Sequence, residues 1–347
     1  MEFPVGITVV MATYNTDIPM LREAVESILN QTFRDFEFLI IDDGSENGSD
    51  EYLKNIADER VKIIRNPQNM GVTKSLNVGL KAARGKYIAR MDADDIALPE
   101  RFEKEFAYME SHPDAVVCGA KAITLTGGKK IPPREGNPRP EDMEDYRVRL
   151  LFINPGPLHP TAMIRHETLL AHQILYDERL VHAQDYGMWE ALSHYGTIYT
   201  LPEALLYRRM HEKQVSAARR DVQIRCDKMT QKKMLSALLG DVTDAEVDFH
   251  YVHSTGYYPD AAISPEAAAW YDRLLQANKS RRIYDQKKLK TRIVFIKKDL
   301  LRKAFTPDMS ALKKVRMIFR YFPLITGARM IARDVKKRIF FKSPAQK

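Results

Sequence analysis

The first 120 residues of the chain alternate short apolar runs with segments of helical periodicity. The apolar runs cover residues 7–11, 36–41, 61–64 and 86–91, and each is followed by a segment with helical spacing. This alternation is typical of parallel strands joined by crossover helices that cover both faces of a sheet. The pattern therefore predicts a doubly wound α/β sheet, whose ligands bind beyond the carboxyl ends of the strands.

The regular alternation ends near residue 120. Residues 126–129 resemble a hairpin turn, residues 159–165 and 197–208 look like further strands, and a helix is expected at 184–194. From about residue 215 onward the pattern is mostly helical, so we expect a mixed, Rossmann-like sheet with a helical C-terminal extension. The predicted organisation is an α/β domain at 1–215, a helical extension at 216–308 and a basic helical tail at 309–347.

Cysteine content and hydropathy bear on the compartment of the chain. Cys118 and Cys226 are too few for a disulfide framework, and no Cys/His spacing suggests a zinc site. The first residues lack the pattern of a signal peptide, and no run of about 18 apolar residues is present. We therefore expect a cytoplasmic protein.

The net charge of +8 is distributed unevenly along the chain. Residues 279–347 hold 22 Lys and Arg against 4 Asp and Glu, whereas the other residues hold 32 against 42. Within 312–340, apolar residues recur at helical spacing beside basic ones, which predicts peripheral attachment to the anionic inner face of the cytoplasmic membrane. The alternative is a helical appendage that packs on its own domain or mediates homo-oligomer formation. No nucleic acid is expected as a partner, because the aromatic residues lie on an apolar helical face, unlike a base-stacking platform.

Three carboxylates follow the fourth apolar run, at Asp92, Asp94 and Asp95. Because side chains alternate along a strand, Asp92 and Asp94 are expected to leave its end on the same side. Close carboxylates repel one another, and a divalent cation such as Mg²⁺ or Mn²⁺ relieves that repulsion. The alternative is an acidic turn before a helix that starts near Leu98-Pro99-Glu100.

Three other loops are expected at the same edge of the sheet. A carboxylate such as Asp43 can accept the imide N–H of uracil, and an aromatic ring such as Tyr14 can stack on the base. The alternative for residues 42–45 is a turn with a helix cap. The helix that begins near Asn69 offers backbone N–H groups to a phosphate, and Lys74 adds positive charge there.

Taken together, these motifs resemble those of the family 2 glycosyltransferases, which have the GT-A fold and transfer sugars from nucleotide donors. The resemblance covers roughly residues 5–216. The matching motifs, in chain order, are Ala12-Thr13-Tyr14-Asn15, Ile40-Ile41-Asp42-Asp43-Gly44-Ser45, Asn69-Met70-Gly71, Ser75-Leu76-Asn77-Val78-Gly79, Met91-Asp92-Ala93-Asp94-Asp95, His159-Pro160-Thr161, Gln184-Asp185-Tyr186 with Trp189, and Tyr207-Arg208 before His211.

The resemblance implies a metal and a base. Asp92 and Asp94 match the DxD motif that binds Mn²⁺ or Mg²⁺, and His211 lies where some members supply a further ligand. Asp185 matches the catalytic base, although Gln184 stands where this family usually has glutamate. The residues expected to bind the nucleotide sugar are Ala12, Thr13, Tyr14, Asn15, Asp43, Asn69, Lys74, Asp92, Ala93 and Asp94.

The implied activity is inverting transfer of a hexosyl or N-acetylhexosaminyl group from a UDP-sugar to an acceptor hydroxyl. The acceptor is expected to be a saccharide or a lipid-linked precursor in surface polysaccharide or glycolipid synthesis. Trp189 is a candidate platform for the acceptor sugar, with core packing as the alternative, and His159 is expected to shape the cleft beneath it.

Other function classes fit the sequence less well. A dehydrogenase is disfavoured because no Gly-x-Gly-x-x-Gly follows the first strand. A nucleotidyltransferase usually brings a Gly-rich basic loop, which residues 12–15 do not supply. A non-catalytic nucleic-acid-binding protein that uses the basic tail is the third alternative, and salt-sensitive RNA binding would favour it.

Overall fold

The computed structural model describes residues 2–133, 140, 142–210, 220–306, 308–323, 328 and 331. Nine strands lie among these residues and form one sheet. They are β1 Val5–Thr13, β2 Phe36–Asp42, β3 Val61–Arg65, β4 Gly85–Asp92, β5 Ile96–Ala97, β6 Ala115–Thr126, β7 Lys129–Ile131, β8 Met163–Arg165 and β9 Thr197–Arg209.

Twelve α-helices lie among the described residues. They are α1 Ile18–Leu29, α2 Ser49–Lys54, α3 Val72–Ala82, α4 Arg101–Ser111, α5 Met143–Leu150, α6 His166–Ala171, α7 Gln184–Leu192, α8 Arg220–Leu239, α9 Asp244–Ser254, α10 Pro265–Arg281, α11 Gln286–Lys303 and α12 Ala311–Tyr321.

The sheet is mixed, as predicted. Its strand order is β3-β2-β1-β4-β8-β6-β9-β5, and β7 pairs with β6. The β1–β2, β1–β4 and β2–β3 pairs are parallel, whereas β8 runs antiparallel to both β4 and β6. The first half of the chain therefore supplies the parallel part of the sheet, and the later strands extend it with both orientations.

The core forms because β1, β2 and β4 are buried along most of their length, so that helices must cover each side of the sheet. All seven residues of β2 are buried. Helix α1 begins after Asp17, whose side chain accepts the N–H of Met20 at 3.3 Å, and it buries Leu21, Val25 and Ile28. These three side chains recur at helical spacing and belong to the same apolar cluster as the strands.

One local prediction needs correction, and one short strand was missed. Residues 159–161 form a 3₁₀ turn, and the strand there is limited to Met163–Arg165. Pro160 fixes its own φ and has no N–H to donate to a sheet. The short strand Ile96–Ala97 was not predicted, because two residues carry too little periodicity to be recognised.

The chain folds as two compact units. The first comprises Met1–Tyr146 and Asn154–Thr230 and contains the whole sheet. The second comprises Arg147–Ile153 and Gln231–Lys347, and its described part is helical. The predicted boundaries at 215 and 308 stay predictions. No helix within the described ranges combines the length and the apolar character that a membrane crossing requires.

A buried polar chain helps to fix the second unit. Fully buried His250 contacts the Leu151 carbonyl through Nε2 at 2.8 Å, and its Nδ1 accepts the indole N–H of Trp270 at 3.0 Å. Burial lowers the pKa of His250 to about 4, so this histidine is neutral at physiological pH. Both ring nitrogens have partners, which indicates a structural histidine.

Candidate active site

Strand register brings two acidic strand ends to the same place. The end of β1 lies between β2 and β4, where Ala12 is opposite Ile41 on one side and Asp92 on the other. Thr13 is opposite Asp42, and the N–H of Asp43 donates to the Thr13 carbonyl at 2.9 Å. The acidic ends of β2 and β4 therefore flank the loop that follows β1.

The aspartates that follow β4 form a compact cluster. One carboxylate oxygen from each of Asp92, Asp94 and Asp95 lies within 4.8 Å of the others. Asp92 ends the strand, Asp94 lies in the turn that follows, and buried Asp95 comes directly before β5. The predicted proximity of Asp92 and Asp94 is correct, but the turn produces it rather than alternation along the strand.

The protonation behaviour of this cluster reflects its surroundings. Burial, followed by the charges of Asp92 and Asp94, raises the pKa of Asp95 to about 8. Loss of hydration also raises the pKa of Asp92, although the Arg90 guanidinium acts in the opposite direction. The cluster thus retains protons at pH values where an ordinary aspartate has lost them, as expected where carboxylates crowd together.

Two arginines that were not predicted as site residues surround the cluster. Buried Arg90 forms an ion pair with Asp92 through Nη1. Arg209, on β9, donates its backbone N–H to Oδ1 of Asp95 at 2.9 Å and its Nη1 to the Asp94 carbonyl at 2.6 Å. Arg90 could have been recognised, since it precedes Asp92 by two strand positions and so lies on the same face. Arg209 could not, because it approaches through β5–β9 pairing from a distant part of the sequence.

The donor set fits a hard divalent cation. Three carboxylates, two of them with a raised pKa, offer the oxygen ligands that Mg²⁺ and Mn²⁺ prefer. Asp92, Asp94 and Asp95 are the described residues that would hold it. The expected further ligand His211 lies outside the described residues.

The acidic pair after β2 has a different environment. Buried Asp42 accepts the N–H of Ser45 at 3.0 Å and pairs with the Arg65 guanidinium at 2.6 Å. The bond from Ser45 agrees with the turn in the alternative interpretation of residues 42–45, but these residues do not cap a helix, because α2 begins at Ser49 after Gly48 with no side-chain cap.

Asp43, next in the chain, anchors the loop that precedes α3. Its Oδ1 accepts from Asn66 Nδ2 at 2.8 Å and from the N–H of Met70 at 2.9 Å, and its Oδ2 accepts from the N–H of Gly71 at 2.8 Å. The Asp43 carboxylate occupies these two amides, so they are not available to a phosphate. The expectation that the N–H groups at the start of α3 itself attract a phosphate stays a prediction. Asn69 and Lys74 are both exposed, and the side-chain oxygen of Asn69 accepts from Gly71 at 3.1 Å.

The loop after β1 is tied to the loop after β2. Asn15 has a left-handed backbone with φ of 48°, its N–H donates to Ser45 Oγ at 2.9 Å, and its side-chain oxygen accepts the N–H of Glu46 at 2.8 Å. These bonds fix the backbone after Tyr14, and the bond from the Asp43 N–H to the Thr13 carbonyl fixes it before Tyr14, whose side chain is 48% exposed. The loop thus presents an aromatic ring to solvent at the edge of the sheet where the acidic strand ends meet.

Asp185 lies in the first turn of α7. One carboxylate oxygen accepts from Asn154 Nδ2 at 2.9 Å, and the other accepts the N–H of Tyr186 at 2.9 Å. Burial raises the pKa of Asp185, while the bond from Asn154, the amide of Tyr186 and the charge of Arg90 oppose the rise. Arg90 therefore acts electrostatically on both Asp92 and Asp185, which indicates that the aspartate cluster and Asp185 share one region.

The two expected acceptor residues are both buried. His159 contacts the Tyr176 hydroxyl through Nε2 at 2.8 Å, and burial holds the pKa of His159 well below its usual range. Trp189 has no exposed surface and lies edge-on to His159, with 6.1 Å between ring centroids. A fully buried indole offers no face to a sugar, so the expected platform at Trp189 needs correction and core packing describes this residue.

Comparison with known proteins gives a consistent result. Residues 8–172 match the model of glycosyl transferase family 2. An uncharacterized glycosyltransferase of Haemophilus influenzae is 33% identical over 220 residues, which cover 61% of this chain and 67% of that protein. The amylovoran biosynthesis glycosyltransferase AmsE of Erwinia amylovora is 28% identical over 228 residues, which cover 61% of this chain and 79% of that protein.

A solved structure shows the same fold. S. aureus TarS 1-349 in complex with UDP-GlcNAc superposes with a TM-score of 0.57 at 18% identity, covering 87% of this chain and 93% of that one. This likeness confirms the predicted GT-A fold. With the sequence relatives, it shows that this chain belongs to family 2 of the glycosyltransferases.

Proposed function

We propose that this protein is a metal-dependent, inverting glycosyltransferase that moves a sugar from a UDP donor to an acceptor hydroxyl. The main support is the cluster of Asp92, Asp94 and Asp95 at the carboxyl edge of the sheet. The charge of Arg90 acts on both Asp92 and Asp185, which supports a position of Asp185 near this cluster. The AmsE relative, named for amylovoran biosynthesis, supports a place in surface polysaccharide synthesis.

A uridine nucleotide fits the two tied loops. A carboxylate has about four lone-pair positions, and protein N–H donors use three of those on Asp43. The remaining position suits the imide N–H of uracil, and the exposed ring of Tyr14 suits stacking on the base. The bound UDP-GlcNAc in TarS supports a UDP-sugar as donor.

Departure of UDP is the step that needs electrostatic help. When the bond between the anomeric carbon and the diphosphate breaks, its electron pair leaves with the diphosphate oxygen. Asp92, Asp94 and Asp95 would hold a divalent cation, which would supply Lewis-acid stabilisation of that negative charge. The carboxylates supply the oxygen ligands for this ion, and Arg90 holds Asp92 in place.

Asp185 serves as the base. Its carboxylate takes the proton of the acceptor hydroxyl as the hydroxyl oxygen forms a bond to the anomeric carbon, opposite the departing diphosphate. A single displacement inverts the anomeric centre, so an α-linked donor gives a β-linked product. The hydrogen bond from Asn154 orients the carboxylate, and burial raises its pKa and hence its strength as a base.

The donor can be identified before the acceptor is known. Thermal unfolding is measured with a panel of UDP-, GDP- and dTDP-sugars, each with and without Mn²⁺, because a ligand that binds the native state raises the midpoint. We expect the largest shift for one UDP-sugar with Mn²⁺ and little shift without the metal. A larger shift for a GDP- or dTDP-sugar would refute the UDP assignment.

The base is tested by Asp185→Asn. The acceptor is screened among lipid-linked and free saccharides, and transfer is followed by release of UDP. We expect transfer to fall by about 10³-fold or more, with the donor-induced thermal shift unchanged, since removal of a general base affects chemistry more than donor binding. Glu167→Gln, an exposed carboxylate on α6, is the matched control and should transfer normally. Near-normal transfer by Asp185→Asn would show that another group accepts the proton.

A further inference from the structure

Helix α12 packs one side against its unit and leaves another side exposed. Of its residues, Ile318 is buried, and Phe322 directly after the helix is buried as well. By contrast, Leu312 is 61% exposed and Phe319 is 37% exposed. Two large apolar side chains of α12 are therefore exposed to solvent, although the side of the helix that carries Ile318 is buried.

The exposed side of this helix is also strongly basic. Helix α12 contains four Lys and Arg residues and no Asp or Glu. At 100° per residue, Leu312 and Phe319 lie within about 20° of each other, and Arg316 and Arg320 follow within about the next 80°. Arg316 and Arg320 are both exposed, so the helix presents a band in which apolar and basic side chains adjoin. We call this band, formed by Leu312, Arg316, Phe319 and Arg320, the α12 face.

The chemistry of the α12 face selects its partner. Basic side chains alone would suit any polyanion, but exposed leucine and phenylalanine gain nothing from a phosphate backbone. An anionic bilayer offers both phosphate groups and an apolar layer directly beneath them. An 11-residue helix is about 16 Å long and cannot span a bilayer, so it would lie in the plane of the interface.

The charge of the surrounding chain favours the same partner. Residues 279–347 hold 22 basic against 4 acidic residues, whereas the remainder of the chain is acidic overall. An anionic surface therefore attracts the segment that carries α12 and repels the rest. This asymmetry favours docking through α12 rather than through the body of the protein.

We propose that the α12 face is a docking surface for an anionic lipid bilayer, with Leu312 and Phe319 inserted among the acyl chains and Arg316 and Arg320 at the headgroup phosphates. This proposal goes beyond sugar transfer and does not depend on it. It gives the protein access to acceptors that are themselves held in a membrane.

The first test uses the full chain and sedimentation with vesicles of phosphatidylcholine, with or without 30 mol% phosphatidylglycerol. We expect binding only when phosphatidylglycerol is present. Leu312→Ser/Phe319→Ser and Arg316→Glu/Arg320→Glu should each lower the apparent vesicle affinity by about tenfold or more, since each pair removes one of two cooperating contributions. Both pairs are exposed, so the variants should keep the wild-type unfolding midpoint.

The matched control is Lys287→Glu/Lys290→Glu on α11. It changes the net charge as much as Arg316→Glu/Arg320→Glu does, and both lysines are exposed and lie outside the α12 face. We expect it to lower affinity by less than about threefold, because the lost attraction is not local to the inserted face. An equal loss in the control and α12 pairs would overturn the proposal, as would unchanged binding of the Leu312→Ser/Phe319→Ser variant.

A second measurement does not depend on loss of binding. In Leu312→Trp, the indole emission should shift to shorter wavelength when vesicles with phosphatidylglycerol are added, because the ring enters an apolar layer. Tyr257→Trp, an exposed site in the same unit, should show no such shift. An unshifted Leu312→Trp spectrum on bound vesicles would overturn the proposal. So would RNA binding that is tighter than vesicle binding and depends on the same four residues.

Discussion

The two acidic clusters at the carboxyl edge of the sheet have the same residue type and nearly the same position, but opposite environments. Asp42 ends β2 and Asp43 follows it, and every carboxylate oxygen of this pair accepts a hydrogen bond or ion pair from the protein. The cluster of Asp92, Asp94 and Asp95 follows β4, and its carboxylates face one another as well as their protein donors.

Identical side chains therefore take different roles according to the groups that surround them. At β2, the N–H groups that precede α3 satisfy Asp43, so its negative charge stabilises the loop. At β4, burial and then the charges of Asp92 and Asp94 raise the pKa of Asp95 to about 8. A cation is the natural remedy for the second cluster, and the first needs none.

Substitution within the cluster of Asp92, Asp94 and Asp95 is expected to have the largest effect on transfer. Asp94→Asn should lower transfer by about 10³-fold or more, because it weakens the binding of the ion that stabilises the leaving diphosphate. Its unfolding midpoint without metal should stay the same or rise, since one repelling charge is lost. The two readouts are the rate of UDP release and thermal unfolding in EDTA. A large fall in midpoint instead would mean that this cluster, too, is structural.

Substitution of Asp43, after β2, is expected to lower stability, whereas Asp94→Asn should leave stability unchanged or raise it. Asp43→Asn places an NH₂ group opposite backbone N–H donors, which should lower the free energy of unfolding by about 1–3 kcal/mol. Urea unfolding of the metal-free protein measures the change. Glu46→Gln, an exposed carboxylate of the same loop, should leave stability unchanged. If Asp43→Asn is as stable as wild type, the anchoring role assigned to Asp43 is wrong.

A smaller effect, on the KM for the UDP-sugar, is expected from substitution of Tyr14 in the loop after β1. Tyr14→Ala should raise the KM for the UDP-sugar about tenfold with little change in kcat, because base stacking is worth about 1–3 kcal/mol. Tyr14→Phe keeps the ring and should behave like wild type. An equal loss in both variants would point to the hydroxyl group and remove the stacking interpretation.

The smallest expected effect is a shift in the pH dependence of transfer when Asn154, a hydrogen-bond donor to Asp185, is replaced. The base must be ionised, so transfer should fall as the pH drops through the pKa of Asp185, which burial raises above the usual aspartate value. Asn154→Ala removes a hydrogen bond that lowers this pKa, so the acidic limb of kcat/KM should move to higher pH. Asn30→Ala, an exposed amide at the end of α1 in the same unit, should leave the limb in place. A shift to lower pH in Asn154→Ala would contradict the assigned contact.

Sequence patterns predicted the parts of the molecule whose causes are local. The buried strands of the parallel half, the hairpin turn at Gly127-Gly128 and the clustering of Asp92 with Asp94 all depend on neighbouring residues. Strand-end carboxylates are visible in the sequence because apolar runs end abruptly at them.

The features that sequence did not predict depend on distant donors or on packing. Arg209 reaches the aspartate cluster through a strand pairing that two residues of β5 are too few to signal. The amides of Met70 and Gly71 satisfy Asp43 only because β2 and α3 adjoin. The burial of Trp189 reflects the packing around α7, which helical spacing alone cannot distinguish from an exposed platform.

The most direct test of the metal assignment is anomalous diffraction at the manganese edge from crystals grown with Mn²⁺ and UDP. We predict an anomalous peak within coordination distance of a carboxylate oxygen of Asp94, with the diphosphate of UDP as a further ligand. UDP bound with no anomalous peak among Asp92, Asp94 and Asp95 would contradict the metal assignment.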